Sequence, residues 1–157
     1  MRKILLSLAT TLTLGAALAT PALANEGRVE ARGGVIWDQG DTQAIAGVAA
    51  GYDYDLGTSA FAGPEVSADK ILTDNQRVTF GIGGRAGIKV SDAGKLYAVG
   101  SYQTKFCATC DHSWTAGAGY QQNFGSKLYG KVEYRHYFVG NGFSDPDAVT
   151  AGLGVKF

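Results

Sequence analysis

Cys107 and Cys110 form a C-x-x-C pair followed at once by Asp111 and His112, the densest cluster of reactive side-chain types in the chain. Such a spacing serves a disulfide across a very short loop, a metal site of thiolate, imidazole and carboxylate ligands, or a dithiol redox pair. The redox pair belongs beside a βαβ pattern, which is missing around these residues. In an exported chain an even pair of cysteines points first to a disulfide, giving modest stabilisation and a stiffened loop. A metal site and free thiols are the alternatives, and no metal or cofactor is expected. Gly81, Gly83 and Ala86 satisfy the loose dinucleotide pattern G-x-G-x-x-A. That pattern works only where a strand turns into a helix. Here it lies inside the most regular strand of the chain, so Gly81 and Gly83 are expected to make room for Arg85.

The elements that carry these residues are strands, because apolar residues recur at every second position. From Arg77 to Val90, Val78, Phe80, Ile82, Gly84, Ala86, Ile88 and Val90 share one face without a break. Fourteen residues exceed the roughly 9 to 11 needed to cross a bilayer at a tilt. The same two-faced pattern predicts eight strands: Arg28 to Trp37, Gln43 to Tyr54, Ser59 to Ala68, Arg77 to Val90, Lys95 to Lys105, Ser113 to Gln122, Lys127 to Val139 and Ala148 to Phe157. Pro64 is the weak point of the third, since proline cannot donate to a ladder. Connections around 55–58, 91–94 and 123–126 are tight, those around 69–76, 106–112 and 140–147 are longer, and 38–42 is intermediate. Short turns on one side and longer loops on the other suit an up-and-down barrel with an even strand number.

Composition narrows the class further. The 157 residues carry 14 basic and 14 acidic groups, so the charge footprint of a nucleic-acid binder is missing. Arg2 and Lys3 precede an apolar run from Ile4 to Ala19, then Pro21 and the small-x-small sequence Ala22, Leu23, Ala24. This pattern predicts a secretory signal peptide over 1–24, cleaved to leave 25–157 as one barrel domain with 12 basic and 14 acidic groups. No later stretch is long and apolar enough for a membrane helix.

Which solvent each face meets is decided by charge. Arg28, Glu30, Arg32, Glu65, Arg77, Arg85, Lys89, Lys131, Glu133, Arg135 and Lys156 fall on one set of positions, and the opposite set is nearly free of formal charge. A soluble barrel would turn the charged set to water, whereas a transmembrane barrel turns it inward, where opposite charges pair. Lipid outside is favoured by the Gly and Tyr on the charged face, which let large side chains share a narrow interior. Aromatics on the apolar face gather at strand ends, among them Trp37, Tyr54, Trp114, Tyr120, Phe138 and Phe157. The chain closes on Val149, Ala151, Leu153, Val155 and Phe157 at alternate positions.

This last segment resembles the targeting strand recognised by the outer-membrane barrel assembly machinery of Gram-negative bacteria. Lys131 to His136 is similar to the penultimate-strand segment of small OmpA-like and opacity-type barrels, and Gly51 to Gly57 to the end of an early hairpin strand in them. The resemblance spans 25–157 and implies an all-β, eight-stranded antiparallel up-and-down transmembrane β-barrel in the outer membrane, with lipid and the assembly machinery as partners. It lacks the C-terminal peptidoglycan-binding domain and long external loops of larger relatives, so cell-wall anchoring and variable-loop adhesion are not carried over.

A structural or surface-interacting role with a side-chain-filled lumen is expected. A narrow small-solute or ion channel is the alternative, ahead of a soluble periplasmic ligand-binding barrel or a lipid-modifying enzyme at the rim. No enzymatic activity is expected. His112 and Ser113 are strand neighbours and point to opposite faces, His136 shares the outward parity of Tyr134 and Phe138, and no G-x-S-x-G is present. In the interior, Glu133 is expected to meet Lys131 and Arg135 from its own strand and Lys156 or Arg28 from neighbours. Ala86→Arg is expected to be far worse than Gly87→Ser, because only residue 86 faces hydrocarbon. Deleting Phe157, or replacing it by Ser, should impair membrane assembly while leaving secretion and signal cleavage intact. Quantification of the outer-membrane fraction tests this, and normal barrel levels would contradict the targeting-strand assignment.

Overall fold

The computed structural model describes residues 25–107 and 110–157; the expected signal segment lies outside the described residues. Eight strands follow one another: β1 Glu26–Asp38, β2 Asp41–Leu56, β3 Ala60–Ile71, β4 Thr79–Lys89, β5 Gly94–Gln103, β6 Ser113–Phe124, β7 Leu128–Phe138 and β8 Asp147–Lys156. Each pairs antiparallel with the next, and β1 pairs with β8, so the sheet closes on itself. Closure gives every strand edge a partner, the condition for a sheet to stand in hydrocarbon. The final link is made by Gly27 and Phe157, whose backbone N–H groups donate to each other's carbonyls at 2.8 and 2.9 Å.

The two faces invert the usual order of a globular protein. Arg28 and Glu133 are each 1% exposed, while Ile82 is 65% and Leu153 71% exposed. Outward aromatics meet near the strand ends: Tyr52 lies 5.0 Å from Tyr54, and Tyr102 5.3 Å from Trp114, between ring centroids. The termini and the short connections 57–59, 90–93 and 125–127 form one end of the barrel, here the terminal end. The segments 72–78, 104–107, 110–112 and 139–146 lie at the opposite, loop end. Inside, near the loop end, Ile36, Ile45, Ile71 and Ala148 pack into an apolar layer with Phe106 and Tyr137 against it.

Several local features differ from the sequence expectation. The fourth strand is eleven residues rather than fourteen. Its expected first residue, Arg77, stands exposed ahead of β4, tied by its backbone N–H to the Phe106 carbonyl. The connection between β1 and β2 is a two-residue turn rather than an intermediate loop, because Gln39 (φ 45°) and Gly40 (φ 100°) both take the left-handed conformation that matches strand twist. Pro64 stays within β3. Its missing N–H faces β2, where the pairing lapses between Gly51–Glu65 and Tyr54–Ala62, while the β4 side is continuous through Pro64–Gly84.

Ala86 faces outward between Ala62 and Ala98, so an Arg there should cost about 2–4 kcal/mol near the midplane. The expectation that Gly87→Ser is much the milder change meets a steric limit. A Cβ at Gly87 would run into the Leu96 carbonyl and lie 2.7 Å from Tyr97 Cα, both backbone atoms that cannot step aside. Gly87→Ser should therefore also destabilise the barrel, through overlap rather than misplaced charge. Ala86→Leu is the control and should change stability by less than about 0.5 kcal/mol. Denaturant titration in lipid vesicles checks all three, and wild-type stability for Ala86→Arg would reverse the assigned faces.

Candidate functional site

The inward residues of the strands assemble a continuous ion-pair network along the lumen. At the terminal end Glu26 receives Lys95 at 2.8 Å and Lys156 at 2.9 Å, and Lys89 lies 2.6 Å from Asp55. One layer deeper, Arg85 grips Asp53 through Nε at 3.0 Å and Nη2 at 2.6 Å, and Lys95 and Arg28 approach the same carboxylate at 3.2 and 3.4 Å. The Arg85 guanidinium also lies over the rings of Tyr97 (4.8 Å) and Phe61 (5.4 Å), so its faces are covered as well as its edge.

The middle of the lumen is held by three glutamates. Glu65 bridges Arg28 at 2.8 Å and Arg135 at 2.6 Å. Glu30 meets Lys131 at 2.5 Å and accepts a hydrogen bond from the Tyr129 hydroxyl at 2.8 Å. Glu133 accepts from Arg135 Nε at 2.6 Å, Tyr97 Oη at 2.8 Å and Lys131 Nζ at 3.0 Å, with Arg32 at 3.7 Å. Above them Arg32 holds Asp69 through two hydrogen bonds of 2.8 and 2.6 Å. Charged and bidentate contacts of this kind are the strong end of the hydrogen-bond range. Missing side chains make the space: a Cβ at Gly119 would stand 2.5 Å from the Tyr97 ring, and one at Gly154 would stand 2.5 Å from the Tyr129 ring.

Of the charged residues expected inside, Arg28, Glu30, Arg32, Glu65, Arg85, Lys131, Glu133 and Arg135 come together, while Lys89 and Lys156 sit at the terminal mouth. Arg77 is a correction, because its strand starts two residues later and leaves it exposed outside the wall. Glu133 is reached by Arg32 and Tyr97 rather than by Lys156 or Arg28. It pairs across β8 with Thr150, well up the strand from Lys156. The inward set read from the sequence, with eight bases to three acids, is also corrected. Asp53, Asp69, Glu26 and Asp55 join the acids, and Lys95 the bases, so the lumen is nearly balanced. Gly81 faces Ser67 and Gln103, and Gly83 backs onto Ser101, rather than making room for Arg85.

At the loop end Cys107 and Cys110 are joined in a disulfide, so the thiolates a metal site would require are spent. The loop is tied down beside it. Asn141 donates to Asp111, whose carboxyl is held below its usual range by the His112 backbone N–H and then by that amide. The two histidines lie apart. His112 packs its ring 5.4 Å from Tyr102, and Ser113 turns inward. His136 faces outward with Nδ1 2.7 Å from Asp147, which also accepts from the Tyr134 hydroxyl at 2.5 Å, and Ser144 donates to Asp38.

No family profile and no curated protein matches the sequence. Solved structures do. A de novo designed transmembrane β-barrel aligns over 84% of this chain and 95% of its own, with TM-score 0.59 and 20% identity. Neisserial surface protein A aligns over 85% and 97%, with TM-score 0.57 and 13% identity. The N-terminal β-barrel domain of OprF from Pseudomonas aeruginosa aligns over 84% and 97%, with TM-score 0.58 and 14% identity. The chain therefore has the fold of an eight-stranded transmembrane β-barrel.

Within that fold Glu133 is a buried carboxylate shared by three cations and a tyrosine hydroxyl. Glu133→Gln keeps the volume but leaves Lys131, Arg135 and Arg32 facing an uncharged amide. Breaking a buried pair on one side costs about 3–5 kcal/mol. Reversible urea unfolding in lipid vesicles should show a loss of that order, and unchanged stability would mean that Glu133 does not neutralise these cations.

Proposed function

We propose that the chain is an integral outer-membrane β-barrel of a Gram-negative cell envelope, with a structural or surface-interaction role and a lumen closed by its own side chains. The observation that carries this is the unbroken series of ion pairs from Glu26 and Lys156 to Arg32 and Asp69, capped by the apolar layer around Ile36 and Ile45. Voids beside that layer measure about 20 and about 10 Å³, room for one water each. An eight-stranded barrel encloses just enough space for side chains, and a conducting path would have to displace paired charges. The terminal end is periplasmic and the loop end external, following the pattern of short turns and longer loops. Export uses the 1–24 segment, and insertion by the assembly machinery uses the strand ending in Val149, Ala151, Leu153, Val155 and Phe157. Enzymatic activity is not part of this reading, in which each histidine is engaged by an aspartate.

Purified protein in planar bilayers tests the closed lumen. Wild type should give no steady single-channel conductance, and stable conductance would replace this reading with the narrow channel. Washing envelopes with high salt and alkali tests the membrane placement. Retention in the membrane fraction is expected, whereas release into the wash would point to a soluble barrel.

A further inference from the structure

Two polar side chains that face each other near the loop end of the lumen do not meet. Gln103 on β5 and Ser113 on β6 are directly paired residues, both turned inward and each 1% exposed. The Cβ atoms of such a pair stand about 4.5–5.5 Å apart, within reach of a side-chain hydrogen bond. None forms. The Gln103 amide instead donates through Nε2 to Ser101 Oγ at 2.9 Å, two residues nearer the terminal end. It lies against Gly81, where a Cβ would stand 2.6 Å from Nε2 and 2.7 Å from Oε1. Gln103 Oε1 and Ser113 Oγ are left without a hydrogen-bond partner among the described residues. For Ser113 that oxygen is the whole polar content of the side chain.

Both residues line the void of about 20 Å³ beside the apolar layer. Thr79 and Asp69 line it too, and the remaining sides are closed by that layer and by Phe106 and Pro146 from the loops. A cavity lined by hydrocarbon alone stays dry, whereas one of roughly 10–15 Å³ or more holds a water where about two to four polar groups can meet it. This void has the volume and the groups. Gln103 Oε1 can only accept, and the Ser113 hydroxyl has a proton to give. Each Asp69 oxygen accepts once from Arg32, which leaves lone pairs on both. The apolar part of the lining leaves too few oxygens for a metal ion such as calcium, which takes about six to eight.

We propose that this void is a binding site for one water molecule, which donates to Gln103 Oε1 and to the Asp69 carboxylate and accepts the Ser113 hydroxyl proton. The water completes a hydrogen-bonded chain from the loop-end seal to the ion pairs. Gln103 donates to Ser101 Oγ, which also accepts from Arg135 Nη1 at 3.1 Å, and Arg135 holds Glu65 and Glu133. The seal is therefore apolar on the side of Ile36, Ile45 and Ile71 and polar on the side of Gln103 and Ser113, with the water between. The site goes beyond the closed lumen proposed above and does not depend on which solvent lies outside the barrel.

A crystal structure of the detergent-solubilised protein, at a resolution that shows ordered water, tests the site. Wild type should show one isolated peak within roughly 2.7–3.2 Å of both Gln103 Oε1 and Ser113 Oγ. Ser113→Val puts a methyl group in place of the hydroxyl and should lose the peak. The wild-type arm stands whether or not that variant folds. A dry void, or Gln103 and Ser113 bonded directly to each other, would overturn the site and leave the closed lumen standing. A peak that persists unchanged in Ser113→Val would also overturn it, because the hydroxyl would then hold nothing. A file of peaks running from the void past Asp69 into the ion pairs would overturn the single-water site and the closed lumen together.

Discussion

A carboxylate inside this barrel has no bulk water to turn to, so each must be met by cations, most of them from other strands. Glu65 on β3 is met from β1 by Arg28 and from β7 by Arg135, and Asp53 on β2 is met from β4 by Arg85 and from β5 by Lys95. These are contacts across the lumen as well as between neighbours, and they hold opposite walls at a set distance. A buried ion pair is a poor source of net stability, because desolvation offsets most of the Coulomb attraction. Its effect is on specificity. A strand slipped by one residue would turn its charges into hydrocarbon and its valines into the lumen.

From that constraint follow the other features of the interior. Large side chains can cross a narrow lumen only where the facing wall has none, which is why Tyr97 lies over Gly119 and Tyr129 over Gly154. The two tyrosines then serve the network, each donating to a glutamate, Glu133 and Glu30 respectively. Where the ion pairs stop, at Asp69, an apolar layer begins and Phe106 enters from the disulfide-bearing loop. The interior is thus filled by charge over most of its length and by hydrocarbon at the loop end.

Strand number, order of faces and the inward position of most charges were legible because alternation survives over ten or more residues in each strand. What escaped was the acids. Glu26, Asp55 and Asp69 each lie one or two residues beyond an expected strand end, where an acidic residue reads as part of a turn, and the strands run through them. Asp53 stood on the inward face of β2 but without a visible partner, since Arg85 is 32 residues away. Arg77 shows the opposite error: its parity is right, but parity continues past the point where pairing ends.

The account depends most on hydrocarbon lying outside and charge inside. Nitroxide labels placed singly at Phe80, Ile82, Ala86 and Ile88 in lipid vesicles test this directly, and the two native cysteines are already joined to each other. Collision with dissolved oxygen should exceed collision with a water-soluble nickel chelate at all four, with the largest ratio at Ile82 and Ala86 near the middle of β4. Nickel-chelate collision at Ile82 and Ala86 equal to that of a label in a water-exposed loop would contradict the account.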